Sequence, residues 1–108
     1  MPLPDVCAPI YSRFADDPDF GELIEYFIGE MPQRMESLRT AAERRDFETL
    51  RELAHQLKGA AGGYGFDIIS ERAAVLEQAT REVVGDSLQP ALEELLDVCN
   101  RARADRPA

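Results

Sequence analysis

Two residues stand out because each is the only one of its kind. His55 is the sole histidine of the 108-residue chain, and Lys58 is the sole lysine among 12 basic residues. They lie three residues apart, which puts both on one face of a helix. Neutral imidazole is nucleophilic near pH 7, and a ring nitrogen can take up a phosphoryl group. An adjacent ammonium can then hold the added negative charge as a compact point charge, where arginine would offer a bidentate fork. Gly59 and Gly62 follow one and two turns after His55 on the same face. Glycine costs about 1 kcal/mol against alanine in a helix interior. Bare backbone beside an exposed ring lets another macromolecule approach closely.

The segment that must present these residues reads as an amphipathic helix. Asp46 is placed to cap it, and Phe47, Leu50, Leu53, Ala54, Leu57, Ala60, Ala61 and Tyr64 form its apolar stripe. Residues 48, 51, 52, 55, 58, 59 and 62 fall on the opposite side, so His55 is expected to face solvent beside Arg51, Glu52, Lys58 and Gly59. Gly65 reads as the end of this helix. Upstream, Asp16-Asp17-Pro18-Asp19 reads as a helix start. Apolar residues then recur at Phe20, Leu23, Ile24, Phe27, Ile28, Met31, Met35, Leu38 and Ala42. The stripe keeps its phase across Pro32, which predicts one helix kinked there, with Met31 and Met35 as adaptable core. A third helix carries Ile68, Ile69, Arg72, Ala73, Leu76, Ala79, Thr80 and Val83. Gly85-Asp86-Ser87 is a turn, and Pro90 fits the first turn of a last helix bearing Ala91, Leu92, Leu95, Leu96, Cys99 and Ala102.

Ile10, Tyr11 and Phe14 are spaced like one or two further helical turns at the N-terminus, and nothing alternates in the manner of a strand. The expectation is an all-α, antiparallel up-down four-helix bundle with a short extra N-terminal helical turn. Residues 1–9 read as a flexible lead-in, 10–104 as the bundle and 105–108 as a frayed tail.

Composition narrows the function classes. The net charge of −9 disfavours nucleic acid and anionic membranes, since both require a basic face. No apolar run approaches the roughly 20 residues needed to cross a bilayer. The opening MPLPDVCAPIY has no basic start or long apolar stretch, so a cytoplasmic protein is expected. Cys7 and Cys99 then read as free thiols without a redox role. The acids between Asp16 and Glu30 read as a solvated helix face. One apolar stripe per helix is satisfied within a single bundle, which points to a monomer. There is no nucleotide-binding loop: AAGGYG lacks the strand before it and the lysine after it. No acidic cluster beside His55 suggests a Mg²⁺ site, so none is expected on this chain. Any phosphoryl chemistry must be shared with a partner that supplies the metal and the second reacting residue.

Residues 54–65, AHQLKGAAGGYG, resemble the signature of histidine phosphotransfer (HPt) domains: His55, an apolar Leu57, Lys58, Gly59 and a small-residue stretch ending in Gly65. The stretch from Ile24 to Ala54 and the Leu76-Glu77 pair also resemble that family, so the likeness covers roughly residues 10 to 100. The resemblance implies a phosphocarrier without kinase activity of its own. His55 would take phosphate from a receiver-domain aspartate and pass it to another in a two-component phosphorelay. Lys58 would steady the phosphoryl group and Gly59 would make room for the receiver. The partners implied are receiver domains of response regulators and hybrid histidine kinases, with Mg²⁺ on the receiver.

Further candidates surround this motif. Gln56, Arg51 and Gly62 could join Gly59 in receiver docking; equally, Gln56 could be plain surface, Arg51 could pair with a neighbour, and Gly62 and Gly63 could be close-packing positions between helices. If the chain reverses near Gly65, Val75 to Gln78 come opposite His55, and Glu77 or Gln78 could reach the second ring nitrogen and fix its tautomer. The competing function is a non-catalytic helical adaptor that docks a receiver or kinase on the same face. A metal-binding bundle is disfavoured by the single histidine, and an enzyme with turnover by the lack of an assembled base, nucleophile and oxyanion set.

Overall fold

The computed structural model describes residues 8–82 and 85–105. The expectations placed on Cys7, Val83 and the last three residues lie outside these. Four helices carry the fold: α1 (Gly21–Glu43), α2 (Phe47–Gly63), α3 (Asp67–Ala79) and α4 (Leu88–Arg101). A 3₁₀ turn, Gly85–Ser87, leads into α4. Two short strands, β1 (Ile10–Tyr11) and β2 (Ala102–Arg103), pair in parallel. The helices pack in a ring, α1 on α2, α2 on α3, α3 on α4 and α4 back on α1. Phe27, early in α1, stacks on Tyr64 at the end of α2, as antiparallel neighbours must. The core runs through the middle of this ring, filled by Phe27, Ile24, Leu38, Leu50, Leu57, Ile69, Leu76 and Leu95.

Helix α1 is continuous through Pro32, as the unbroken phase of its stripe predicts. Its buried residues are Ile24, Phe27, Met31, Met35, Leu38 and Ala41. Leu23 lies outside this stripe and is exposed. The start of α1 differs from expectation. The acids at 16–19 do not cap it; the helix begins after Phe20, with no side-chain cap. Asp17 Oδ1 instead accepts from the Asp19 amide at 2.9 Å, within a run of turns from Ser12 to Phe20. A short acid that closes its own local turn is not available to the helix end. Phe14 and Phe20 stack across these turns, with centroids 4.6 Å apart.

The expected N-terminal helical turn is also replaced. Ile10 and Tyr11 are extended, paired with Ala102 and Arg103. Two-residue strands carry no readable alternation, so only the tertiary contact defines them. Beyond β1 the chain grips the α2–α3 turn: Ser12 Oγ donates to the Tyr64 carbonyl at 2.6 Å, and the Arg13 amide donates to the Gly65 carbonyl at 2.8 Å.

That turn is built by Gly65, at φ +85°. The Gly65 amide donates to the Gly62 carbonyl and the Phe66 amide to the Ala61 carbonyl, which satisfies the orphan end of α2. At the other end of α2, Asp46 Oδ1 accepts from the Thr49 amide at 3.2 Å, the expected cap. Helix α4 buries Val98 beside the expected Ala91, Leu92, Leu95 and Cys99, while Leu96 is half-buried. Burial pushes the Cys99 thiol up to about 12. In a Cys7→Ser background, Cys99 should therefore resist iodoacetamide at neutral pH until denaturant is added, because the thiolate is the reactive form. Rapid labelling of the folded protein would contradict that burial.

Candidate functional site

His55 sits midway along α2 with its side chain 65% exposed, on the face opposite Leu50, Ala54, Leu57 and Ala61. The ring is anchored from α3. Its Nδ1 lies 3.0 Å from Oε2 of Glu77, whose side chain is only 8% exposed. Glu77 is thus a buried carboxylate on a helix whose other buried side chains are mostly apolar. Its oxygens are fully engaged. Oε1 accepts from Lys58 Nζ at 2.8 Å, and Oε2 accepts also from Arg81 at 3.3 Å. The Lys58 hydrogen bond holds the Glu77 carboxyl below its ordinary value; burial pushes the other way, and the His55 bond assists the lowering. An ionised carboxylate can only accept, so Nδ1 carries the ring hydrogen in this contact. In the neutral ring, the nitrogen left with a free lone pair is Nε2, the one not bonded to Glu77.

The register that creates this contact is set along the α2–α3 hairpin. Below His55, Ser70 Oγ donates to the Lys58 carbonyl at 2.8 Å. Above it, Arg51 Nε donates to Thr80 Oγ1 at 3.1 Å and Arg51 NH2 donates to the Thr80 carbonyl at 3.2 Å. Paired positions descend on α3 as they rise on α2, the mark of antiparallel helices. Between the two rungs, Glu77 comes opposite His55.

The family model described as the Hpt domain matches residues 22–105. The chain belongs to the Hpt domain family. No curated protein matches it, and no solved structure does. Hpt domains are phosphotransfer modules of two-component phosphorelays; they carry phosphoryl groups and interact with receiver domains.

The matched region of this Hpt domain includes every residue singled out around His55, and the structure separates them. Glu77 reaches the ring; Gln78 is exposed, in a shallow groove with Ala74, Val75 and Glu82. Gln56 is exposed beside His55. Gly59 is exposed, and a Cβ built there would meet nothing within 4 Å. Gly62 is different: it is half-buried, and its Cβ would lie 3.4 Å from Ser70 Oγ, an ordinary packing contact toward α3. The Arg51 guanidinium is bonded to the end of α3 and is half-buried, so it is not a loose rim charge. Lys58 does not stand free beside His55; it shares Glu77 with the ring.

Two residues of the site were not expected there from the sequence: Arg81, and Thr80, which reads only as part of the third helix's stripe. Arg81 follows Glu77 by four residues, the spacing of a helical ion pair, so a signal existed. Thr80 gave none, because its hydroxyl acts through a backbone end that only the structure reveals. Among the described residues, no three His, Cys, Asp or Glu side chains group as metal ligands, and no helix is long and apolar enough to cross a membrane.

Proposed function

We propose that this Hpt domain relays phosphoryl groups on His55 between the aspartates of receiver domains belonging to response regulators and hybrid histidine kinases. The observation that carries this reading is the bond from His55 Nδ1 to buried Glu77. In the neutral ring this bond leaves Nε2 without hydrogen, so that its lone pair can attack the phosphorus of a receiver aspartyl phosphate. The P–N bond forms as the bond from phosphorus to the acyl oxygen breaks, and the aspartate leaves as carboxylate. The Nδ1 hydrogen stays in place, and the positive charge that develops on the ring faces the Glu77 carboxylate. Discharge to a second receiver is the reverse step. The receiver supplies the Mg²⁺ and the aspartate; this chain supplies the nucleophile, its tautomer and two nearby cations, Lys58 and Arg81. Lys58 would divide its three hydrogens between Glu77 and the phosphoryl oxygens.

The test is to charge a receiver with a small phosphodonor and Mg²⁺, add the protein and weigh it intact. One acid-labile phosphoryl group, absent from His55→Ala, is the expected result. Receivers that bind the domain but never transfer would overturn this reading in favour of an adaptor.

The open space at Gly59 makes a second expectation with two opposite signs. Gly59→Leu should raise thermal stability, since leucine is the better helix former by nearly 1 kcal/mol. It should also raise the receiver concentration needed for half-maximal transfer, because the side chain projects where the receiver approaches. Unchanged transfer by a stabilised variant would remove Gly59 from the docking surface.

A further inference from the structure

We infer that Arg51 is a positioning residue for phosphoryl transfer, acting through Thr80 to hold Glu77 against His55; this rests on the phosphotransfer reading above. Helix α3 ends at Ala79, so Glu77 lies in its last turn. Last turns lack helical partners for their carbonyls and are the first part of a helix to fray. A carboxylate that must fix an exposed imidazole is poorly placed there unless something ties the turn down. The tie is a chain of three hydrogen bonds. Arg51 Nε donates to Thr80 Oγ1, Arg51 NH2 donates to the Thr80 carbonyl, and Thr80 Oγ1 donates to the Glu77 carbonyl at 2.6 Å. The chain starts on α2 one turn before His55 and ends on the backbone of the residue that holds the ring. Thr80 is buried, so its hydroxyl has no ready substitute partner in solvent. The guanidinium also places a cation at the negative end of α3. Arg51 therefore has no need to touch a receiver or the phosphoryl group to affect the rate of transfer.

The consequence is a tautomer effect. A histidine side chain free in water favours the hydrogen on Nε2, which would mask the nitrogen that attacks. The bond to Glu77 reverses this preference, and the Arg51–Thr80 tie keeps Glu77 in place to do so. A residue at the rim of the docking surface would behave otherwise: it would change receiver affinity and leave the ring alone.

The experiment uses the full chain labelled with ¹⁵N. Its single histidine makes the long-range ¹H–¹⁵N correlations of the ring unambiguous. The variants are Arg51→Ala, Arg51→Lys, Thr80→Val and Thr80→Ser, each checked for helicity and thermal midpoint. Wild type should show hydrogen on Nδ1. Arg51→Ala should shift the population toward hydrogen on Nε2. Its maximal transfer rate should fall about tenfold, the usual scale for losing an outer orienting partner, while the half-saturating receiver concentration stays put. Thr80→Val should move both readouts in the same direction by less, since the Thr80 carbonyl remains for Arg51, and Thr80→Ser should behave as wild type. Should Arg51→Ala fail to fold, the Thr80 pair decides. An unchanged tautomer in a folded Arg51→Ala or Thr80→Val protein overturns the inference. So does a raised half-saturation with an intact maximal rate. If wild type accepts no phosphoryl group at all, the phosphotransfer reading fails, and the tautomer measurement still decides whether Arg51 positions the ring.

Discussion

Replacing Gly65 with alanine should destabilise the domain by about 3 kcal/mol, read as a lowered midpoint in urea unfolding. Two causes add. Gly65 has φ +85°, a conformation that costs other residues roughly 1–2 kcal/mol. The new methyl would also lie 2.5 Å from Ser12 Oγ, 2.8 Å from Phe14 Cδ2 and 3.0 Å from the Arg13 amide nitrogen. One of these neighbours is backbone, which cannot swing aside, and overpacking of this kind costs about 1–3 kcal/mol. The segment from Ser12 to Phe14 must therefore lift off the turn. Gly65→Asn, which tolerates the backbone conformation but not the contact, separates the two causes. A midpoint equal to wild type for the alanine variant would contradict the close approach seen here.

Glu77→Gln should be the most damaging conservative change near His55. The amide has the carboxylate's shape but only one accepting oxygen, and its NH₂ cannot receive a hydrogen bond from His55, Lys58 or Arg81. Transfer should slow by tenfold or more, the range for losing a partner that orients a reacting imidazole. Stability should also fall, by about 1 kcal/mol at neutral pH, a modest figure because Lys58 and Arg81 are part-exposed and can return to water. This loss has a defined pH dependence. The Glu77 carboxyl titrates lower in the folded protein than in the unfolded chain, chiefly through Lys58. Its contribution is therefore complete above the ordinary glutamate range and disappears as pH falls through the depressed folded value. Urea midpoints of wild type and Glu77→Gln should differ at pH 7 and converge in acid. A gap that persists at low pH would mean that the charge of Glu77 is not what stabilises the cluster.

The parts legible in the sequence are those governed by period and local capping. Helix α2 could be read from Asp46 to Gly65, with His55 on its outer face, because the cap, the stripe and the terminating glycine all lie within the segment itself. Glu77 was reachable as one of two candidates, since a tight reversal near Gly65 sets the register of the hairpin; choosing it over Gln78 required the rotation of α3 about its axis, which depends on core packing. What could not be read depends on contacts between distant segments. Just past the end of α1, Arg45 has φ +56°, a position where glycine would have given a signal and arginine gives none. Ile10 and Tyr11 are extended only because Ala102 and Arg103 lie beside them. Arg51 looked like surface charge because its partner, the end of α3, is 29 residues away.

The pairing of β1 with β2 bears on the order in which the molecule assembles. It joins the two ends of the described chain, whereas the α2–α3 contacts close over a short reversal at Gly65. Closing a longer loop carries the larger entropic cost, and distant contacts are rewarded only after that cost is met. The helical hairpin bearing His55 and Glu77 can thus form early from local contacts, with the two-residue clasp fastening last. In the native ensemble the order reverses: the clasp is the natural site of a partial opening that frees the first strand while the hairpin stays intact.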